Sequence, residues 1–338
     1  MSYSKISKAI EPRWILVVIF FLSGIFLGGI GLYLWFGLYR TVGYKIHSTN
    51  PVYKFINPLI AVEFNNSNSF SINKSLELQI RGLVDESQKN QQINTASVYF
   101  RDIEPAYWAG VNENAKFSPG NLLKIPIMIS YFKLAENDPQ ILQKKLKNTS
   151  TQARKDDPFP SATPLVFGET YSVNELIRRM IVDGDDVAAI LLYDNIDNRT
   201  LNEVYSDLGI DFVENNTTTS DYISLKLYSL FFRVLYNSTY LNREYSEQAL
   251  SLLSQTNTNV GISATLPKES PIAQEFDAHA YTENGISGYE MYDCGIIYYP
   301  NHPYLLCASV KGKTLKNIEG FLKSLSQRVY SEMDYKYK

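Results

Sequence analysis

Three kinds of chemistry are short of residues in this chain, and each shortage closes a route. Only two cysteines, Cys294 and Cys307, occur in 338 residues, so a disulfide-stapled scaffold is excluded. The three histidines, His47, His279 and His302, fall in a polar N-terminal stretch, a loop and a turn, too scattered for histidine chemistry. Positive charge is not in excess either. The net charge is −3, with no basic stripe of the kind a nucleic-acid surface requires. No internal repeat is visible, and the residue pattern calls for no metal and no cofactor.

What the chain does have is one long uncharged run followed by ordinary globular sequence. Residues 14–36 read WILVVIFFLSGIFLGGIGLYLWF, 23 residues without a charge. At about 1.5 Å per residue this spans a bilayer core of about 30 Å. Trp14, Tyr33 and Trp35 stand where aromatic rings favour the interface. A cleaved signal peptide competes with this reading, but the run is long for one and no A-x-A-like site follows it. We therefore expect a cytoplasmic tail at 1–13, a transmembrane helix at 14–37 and a main domain outside the cytoplasm. Lys5, Lys8 and Arg13 before the run, against Arg40 and Lys45 after it, agree weakly with that orientation. Residues 38–74 hold HSTNP and FNNSNS with little periodicity and read as a stalk.

Beyond the stalk, about 260 residues suffice for one large domain. Leu76, Ile80, Leu83 and Val84 at 3–4 spacing predict a helix. Ala96, Val98 and Phe100 alternate with Ser97, Tyr99 and Arg101 as a half-buried strand, with Trp108 to Val111 as its hairpin partner. LLKIPIMISYF (122–132) is apolar almost all round and predicts a buried helix. Ser172 and Glu175 form a capping box opening a helix to about Val182. Gly184 interrupts that helix, and 187–193 resumes a helical pattern. A further helix is expected from Asp221 to about Leu235. CGIIYYP and YLLCASV are strands joined at PNHP, and Leu315, Ile318, Leu322, Leu325 and Val329 trace a final helix.

Strands at both ends with helices between them imply an α+β fold whose antiparallel sheet gathers the N- and C-terminal parts. Folding the hairpin about Asn301 and His302 puts Cys294 and Cys307 on one face. Directly opposite they can form a disulfide; one diagonal step apart they are too distant and pack as small apolar residues.

Three local motifs resemble the class A β-lactamase and penicillin-binding serine hydrolase family over residues 76–330. KFSPGNLLKIPIM is similar to the family's F-x-P-A-S-x-x-K-x-P, with Lys124 at the lysine and Asn121 at the nucleophilic serine. MIVDGDDVAAILL resembles M-I-x-x-S-D-N-x-A-x-x-x-L, with Gly184, Asp185 and Asp186 at the triplet. SPIAQEFDAHAY looks like the strand carrying K-T-G, with Glu275, Phe276 and Asp277 in place of those residues. A slip to Glu283, Asn284 and Gly285 also puts Glu at the lysine. The resemblance implies a three-layer sandwich of the serine β-lactamase/DD-peptidase type spanning 75–335. Its α/β part is 75–118 and 262–335, and its helical part is 119–261.

In that family the serine is acylated, a nearby base takes its proton, and backbone amides hold the oxyanion. An amide such as Asn121 is a very poor acyl acceptor, though a good helix cap. Asp185 and Asp186 also read as plain cap residues, and Glu275 and Asp277 as exposed strand charges. Ser118 lies three residues before Asn121, outside the helix start, and Glu214 sits in a connection too short for the deacylating loop. The departures imply a pseudoenzyme whose Lys124 is neutralised by acidic partners among Asp186, Glu275 and Asp277, with peptidoglycan peptides or an envelope protein as partner. An active serine hydrolase with another nucleophile, and an amine- or metal-binding module, are the competing readings.

Overall fold

The computed structural model describes residues 21–24, 28–29, 53–57, 71–103, 107–117, 120–150, 157–210, 223–256, 259–268, 270–283 and 285–338. The chain separates into two compact units, residues 1–49 with 61–64, and residues 50–60 with 65–338. In the first, 21–24 and 28–29 are helical. Most of the apolar run at 14–37 lies outside the described residues, as do Ser118, Asn284 and Glu214. Among the described residues no helix is long and apolar enough to cross a membrane.

The second unit opens with α1, Lys74–Lys89, whose buried stripe is Leu76, Ile80 and Val84. Strands β1 (Thr95–Asp102) and β2 (Trp108–Val111) follow, then a short β3 (Lys116–Phe117) and a 3-10 turn at Gly120–Leu123. Helix α2, Lys124–Asn137, carries Pro126 in its first turn, where a missing N–H costs nothing. It is buried from Lys124 to Phe132, as its all-round apolarity requires. The middle of the chain adds β4 (Lys145–Lys147), β5 (Thr170–Ser172), α3 (Val173–Val182), α4 (Asp186–Asp194) and α5 (Asn198–Asp207). It ends with β6 (Ile223–Ser224), α6 (Leu225–Tyr236) and α7 (Arg243–Leu253). Two long strands, β7 (Ile272–Glu283) and β8 (Ile286–Ile297), precede β9 (Tyr304–Gly312) and the closing α8 (Leu315–Tyr337).

The five long strands form one sheet in the order β2-β1-β9-β8-β7, every pair antiparallel. The β1–β9 pairing unites the N- and C-terminal parts of the chain, as the element order implies. One sheet face packs against α1 and α8 through Val98, Phe100, Leu306, Val310, Leu322 and Leu325. The other packs against the middle helices through Tyr99, Tyr292, Ile296, Phe132 and Phe231. The domain is therefore an α+β antiparallel sheet between two helical layers.

Several expectations change in detail. Tyr99 is 2% exposed, so β1 is covered on both faces rather than half-buried, because helices lie on either side of it. The capping box at Ser172 is half made. Ser172 Oγ accepts from the Glu175 amide at 3.2 Å, but the Glu175 carboxylate turns to Arg178 and Arg179. Helix α6 starts at Leu225, where Ser224 caps it, not at Asp221. His279 lies in β7, not in a loop. Cys294 and Cys307 stand directly opposite in the β8–β9 ladder and are joined by a disulfide. Residues 53–57, inside the stretch read as a stalk, are packed on the domain. The Glu247 carboxylate accepts from the amides of Lys54, Phe55 and Ile56 at 2.6, 2.8 and 2.9 Å, and Phe55 and Ile56 are buried.

Candidate functional site

Helix α2 delivers Lys124 to the interior at the edge of the sheet, where it is 6% exposed. The chain before it does not end in a side-chain cap. Asn121 lies in the 3-10 turn, and the cap position falls on Leu123, which makes no capping hydrogen bond. The tighter turn precedes the helix at Leu123, and the Asn121 side chain, with the cap expected of it, lies outside the described residues.

The tripeptide Gly184-Asp185-Asp186 connects α3 to α4, and each residue does a different job. Gly184 has φ +67°, a left-handed conformation in which a side chain would be strained. Its carbonyl accepts from Lys124 Nζ at 3.3 Å. Asp185 is the N-cap of α4: one oxygen accepts from the amides of Val187 and Ala188 at 2.8 and 3.0 Å. Its other oxygen takes the Leu165 amide at 2.8 Å, tying down the 157–169 loop. Asp186, one residue on, turns the other way and pairs with Lys124 at 3.0 Å, both side chains nearly buried.

The third group comes from β7, the edge strand. Glu275 and Asp277 are two residues apart and so share the face towards the middle helices, each 6% exposed. Glu275 Oε2 accepts from the hydroxyl of Tyr228 in α6 at 2.6 Å. Its Oε1 is buried with no hydrogen-bond partner. Phe276 points to the opposite face and meets Phe159 edge-on at 5.3 Å. Asp277 lies 3.7 Å from His279 Nδ1, and His279 Nε2 lies 3.8 Å from Glu290.

These residues open on a cleft of about 440 Å³ lined by Lys124, Asp183, Gly184, Glu275, Phe276 and Asp277. Asp157, Phe159, Met180, Thr256 and Val260 also line it. The alternative register fails to reach it: Glu283 is 61% exposed at the far end of β7, paired with Lys311. Among the described residues no group of three or more His, Cys, Asp or Glu is arranged to hold a metal ion.

Electrostatics follow from burial. Burial pushes the Glu275 carboxyl up to about 8, against the smaller opposing effects of Tyr228 and Lys124, so it is largely uncharged at neutral pH. Burial also pulls Lys124 down, but Asp186, Asp277 and Glu275 outweigh it and hold the ammonium above its ordinary value. The hydroxyl threonines of the wall are both engaged, Thr163 with Asp183 at 3.3 Å and Thr256 with the Gln274 carbonyl at 3.3 Å.

The sequence motifs thus gather Lys124, Gly184, Glu275, Phe276 and Asp277 around one cleft, with Asp186 paired to Lys124 and Asp185 as the cap of α4. Motif reading missed Tyr228, which looks like one position of an amphipathic helix, and the Asp157–Phe159 wall, which sits in polar loop sequence.

An antiparallel sheet between helical layers, with a buried lysine and polar cleft beside the edge strand, is the architecture of β-lactamase-like and penicillin-binding domains. Residues 75–333 match the model described as the β-lactamase enzyme family, and the chain belongs to that family. The structure of PBP-A superposes with a TM-score of 0.65 at 19% identity, covering 78% of this chain and 97% of that one. A class A β-lactamase from Bacteroides cellulosilyticus also gives 0.65 at 16% identity, covering 78% and 100%. A β-lactamase from Xanthomonas campestris gives 0.62 at 19% identity, covering 76% and 98%. A PBP-A mutant has been solved as an acyl-enzyme complex with penicillin G. At these identities the likeness concerns the fold. Among curated proteins none matches the sequence significantly.

Proposed function

We propose that this chain is a membrane-tethered β-lactamase-family protein whose domain lies outside the cytoplasm and binds its ligand without being acylated. In this reading Asn121 occupies the place of the acylated serine, Gly184 that of the proton-relaying hydroxyl, and Glu275 that of the cation before the glycine. The observation that carries it is the state of Lys124. A lysine that activates a nucleophile must be able to take up or pass on a proton, whereas this one is held by Asp186 at 3.0 Å with its ammonium form favoured. Loss of the nucleophile alone costs several orders of magnitude in such enzymes. The cleft's acidic side chains also disfavour a carboxylate ligand, since like charge in a partly desolvated site costs on the order of a few kcal/mol. The uncharged run at residues 14–36 supports the tether, and a binding or scaffold role in the cell envelope follows from that placement.

The test is incubation of the full chain, purified in detergent, with a fluorescent penicillin, alongside nitrocefin turnover. The proposal expects no covalent label and no turnover. A label that disappears on mutation of one serine or threonine establishes the competing reading, an active hydrolase with another nucleophile.

A further inference from the structure

The cleft has an unmet requirement. Glu275 lines a cleft of about 440 Å³ and is 6% exposed; its Oε2 is taken by Tyr228, and its Oε1 is buried with no hydrogen-bond partner. A buried polar atom left unpaired costs free energy that a donor entering the cleft would recover. Lys124, a buried cation nearby, points instead to Asp186 and the Gly184 carbonyl. Apolar side chains, Phe159, Met180 and Val260, line the same cavity together with Asp157, Thr163 and Asp183.

We propose that the cleft holds a primary alkylammonium, the group a lysine side chain of a peptide carries, with its methylene stem along these walls and its ammonium at Glu275. This rests on the non-acylating reading above. Ammonium is favoured over guanidinium because Glu275 has one unpaired oxygen, not the pair a planar fork grips. A lysine-type stem suits a site that sets apolar side chains beside a buried carboxyl, since its methylenes bury while its head is hydrogen-bonded.

The reading also fixes a pH dependence. Glu275 is faced by Tyr228 from α6, Lys124 from α2 with Asp186 bound to it, and Asp277 on its own strand with His279 beyond. Lys124 stays charged because its pKa is raised. Glu275 is protonated up to about pH 8, so an arriving ammonium must displace that proton. Affinity therefore rises with pH until the carboxyl is ionised.

The experiment uses the full chain in detergent and three neutral-ended probes: the Nα-acetyl methylamides of lysine, norleucine and arginine. Binding is followed by saturation-transfer NMR and calorimetry. The lysine probe should bind at least about tenfold tighter than norleucine, whose stem matches but whose head carries no charge. It should also bind tighter than arginine. Its affinity should rise about tenfold or more from about pH 6 to about pH 8, with proton release at the lower pH. Glu275→Gln, checked for an intact melting transition, should remove both the preference for lysine and the pH dependence. If that variant does not fold, the norleucine and pH comparisons decide. Equal affinity for lysine and norleucine, a flat pH profile, or no saturable binding of the lysine probe overturns the proposal. Fluorescent penicillin in the same preparation reports separately on the non-acylating reading, so the two failures are distinguishable.

Discussion

Two buried carboxyls stand back to back on neighbouring strands, and they have opposite fates. Asp293 in β8 faces the α1–α8 layer and is fully satisfied. Its oxygens accept from the Ile262 amide at 2.7 Å and the Gln274 side-chain amide at 2.8 Å. Gly261 permits the first bond, because a Cβ there would overlap the carboxylate and its φ of +67° strains any side chain. Glu275, one residue beyond Gln274 on the opposite face of β7, keeps one oxygen unpaired beside a cavity. Burial raises both, Asp293 to about 7 and Glu275 to about 8. Burial and a raised pKa therefore do not distinguish a structural carboxyl from a ligand-seeking one. Completion of the hydrogen bonds does.

The largest effect should come from the satisfied side. Asp293→Ala leaves two buried donors without acceptors and should destabilise the domain by about 3 kcal/mol, read as a lower midpoint in urea. Glu275→Gln, which keeps an acceptor for Tyr228, should cost far less. Comparable losses at both positions would erase the distinction.

Nearly as large is the effect at the ion pair beneath Glu275. Lys124→Met removes the cation from Asp186 in a pair about nine-tenths buried and should cost about 3 kcal/mol. Asp186→Asn should cost a similar amount, and the double variant less than the sum by at least about 1 kcal/mol. Strict additivity in a double-mutant cycle would contradict a coupled pair.

The dependence on pH is smaller and has a definite sign. Glu275 goes from 4.5 to about 8 and Asp293 from 3.8 to about 7 on folding. Through that window the folded chain holds protons that the unfolded chain has released, so stability falls as pH rises. Each group contributes up to about 1.4 kcal/mol per pH unit. Melting temperature should decline from about pH 5 to about pH 8 and then level off. Glu275→Gln should flatten the part nearest pH 8 and leave the lower part in place. A melting temperature that climbs over this range would contradict the raised values.

At the far end of β7 almost nothing should happen. Glu283, 61% exposed beside Lys311, belongs to the register that does not reach the cleft. Glu283→Gln should change stability by less than about 0.5 kcal/mol and leave ligand binding untouched.

The sequence carried the architecture wherever a pattern was local. The all-round apolarity of 122–132 marks α2, the glycine break at Gly184 marks the α3–α4 turn, and strands at both chain ends mark a sheet uniting them. The acidic environment of Lys124 was legible as well, because two motifs place Asp186, Glu275 and Asp277 at positions that face the lysine of the first. What was not legible depends on tertiary placement. Tyr228 reaches Glu275 from a helix 47 residues earlier, and nothing in its own helix distinguishes it from core positions. Residues 53–57 look like linker because their partners, Glu247 and Tyr298, lie some two hundred residues away. Tyr99 reads as solvent-facing by alternation and is buried because a second helical layer covers that face. The choice between bridged and unbridged cysteines turned on a two-residue step of register, which the β8–β9 ladder decides.

The smallest expected change is also the most direct test. If charge as well as the missing nucleophile disables the cleft, Asn121→Ser alone should not restore reaction, because Lys124 remains paired with Asp186 and acidic groups still line the entrance. Intact-protein mass spectrometry of the full chain and of Asn121→Ser after exposure to penicillin G reads this out. The account predicts unmodified masses for both. A penicilloyl adduct on the natural chain would contradict the non-acylating reading outright, and one on the variant alone would show that charge was never the barrier.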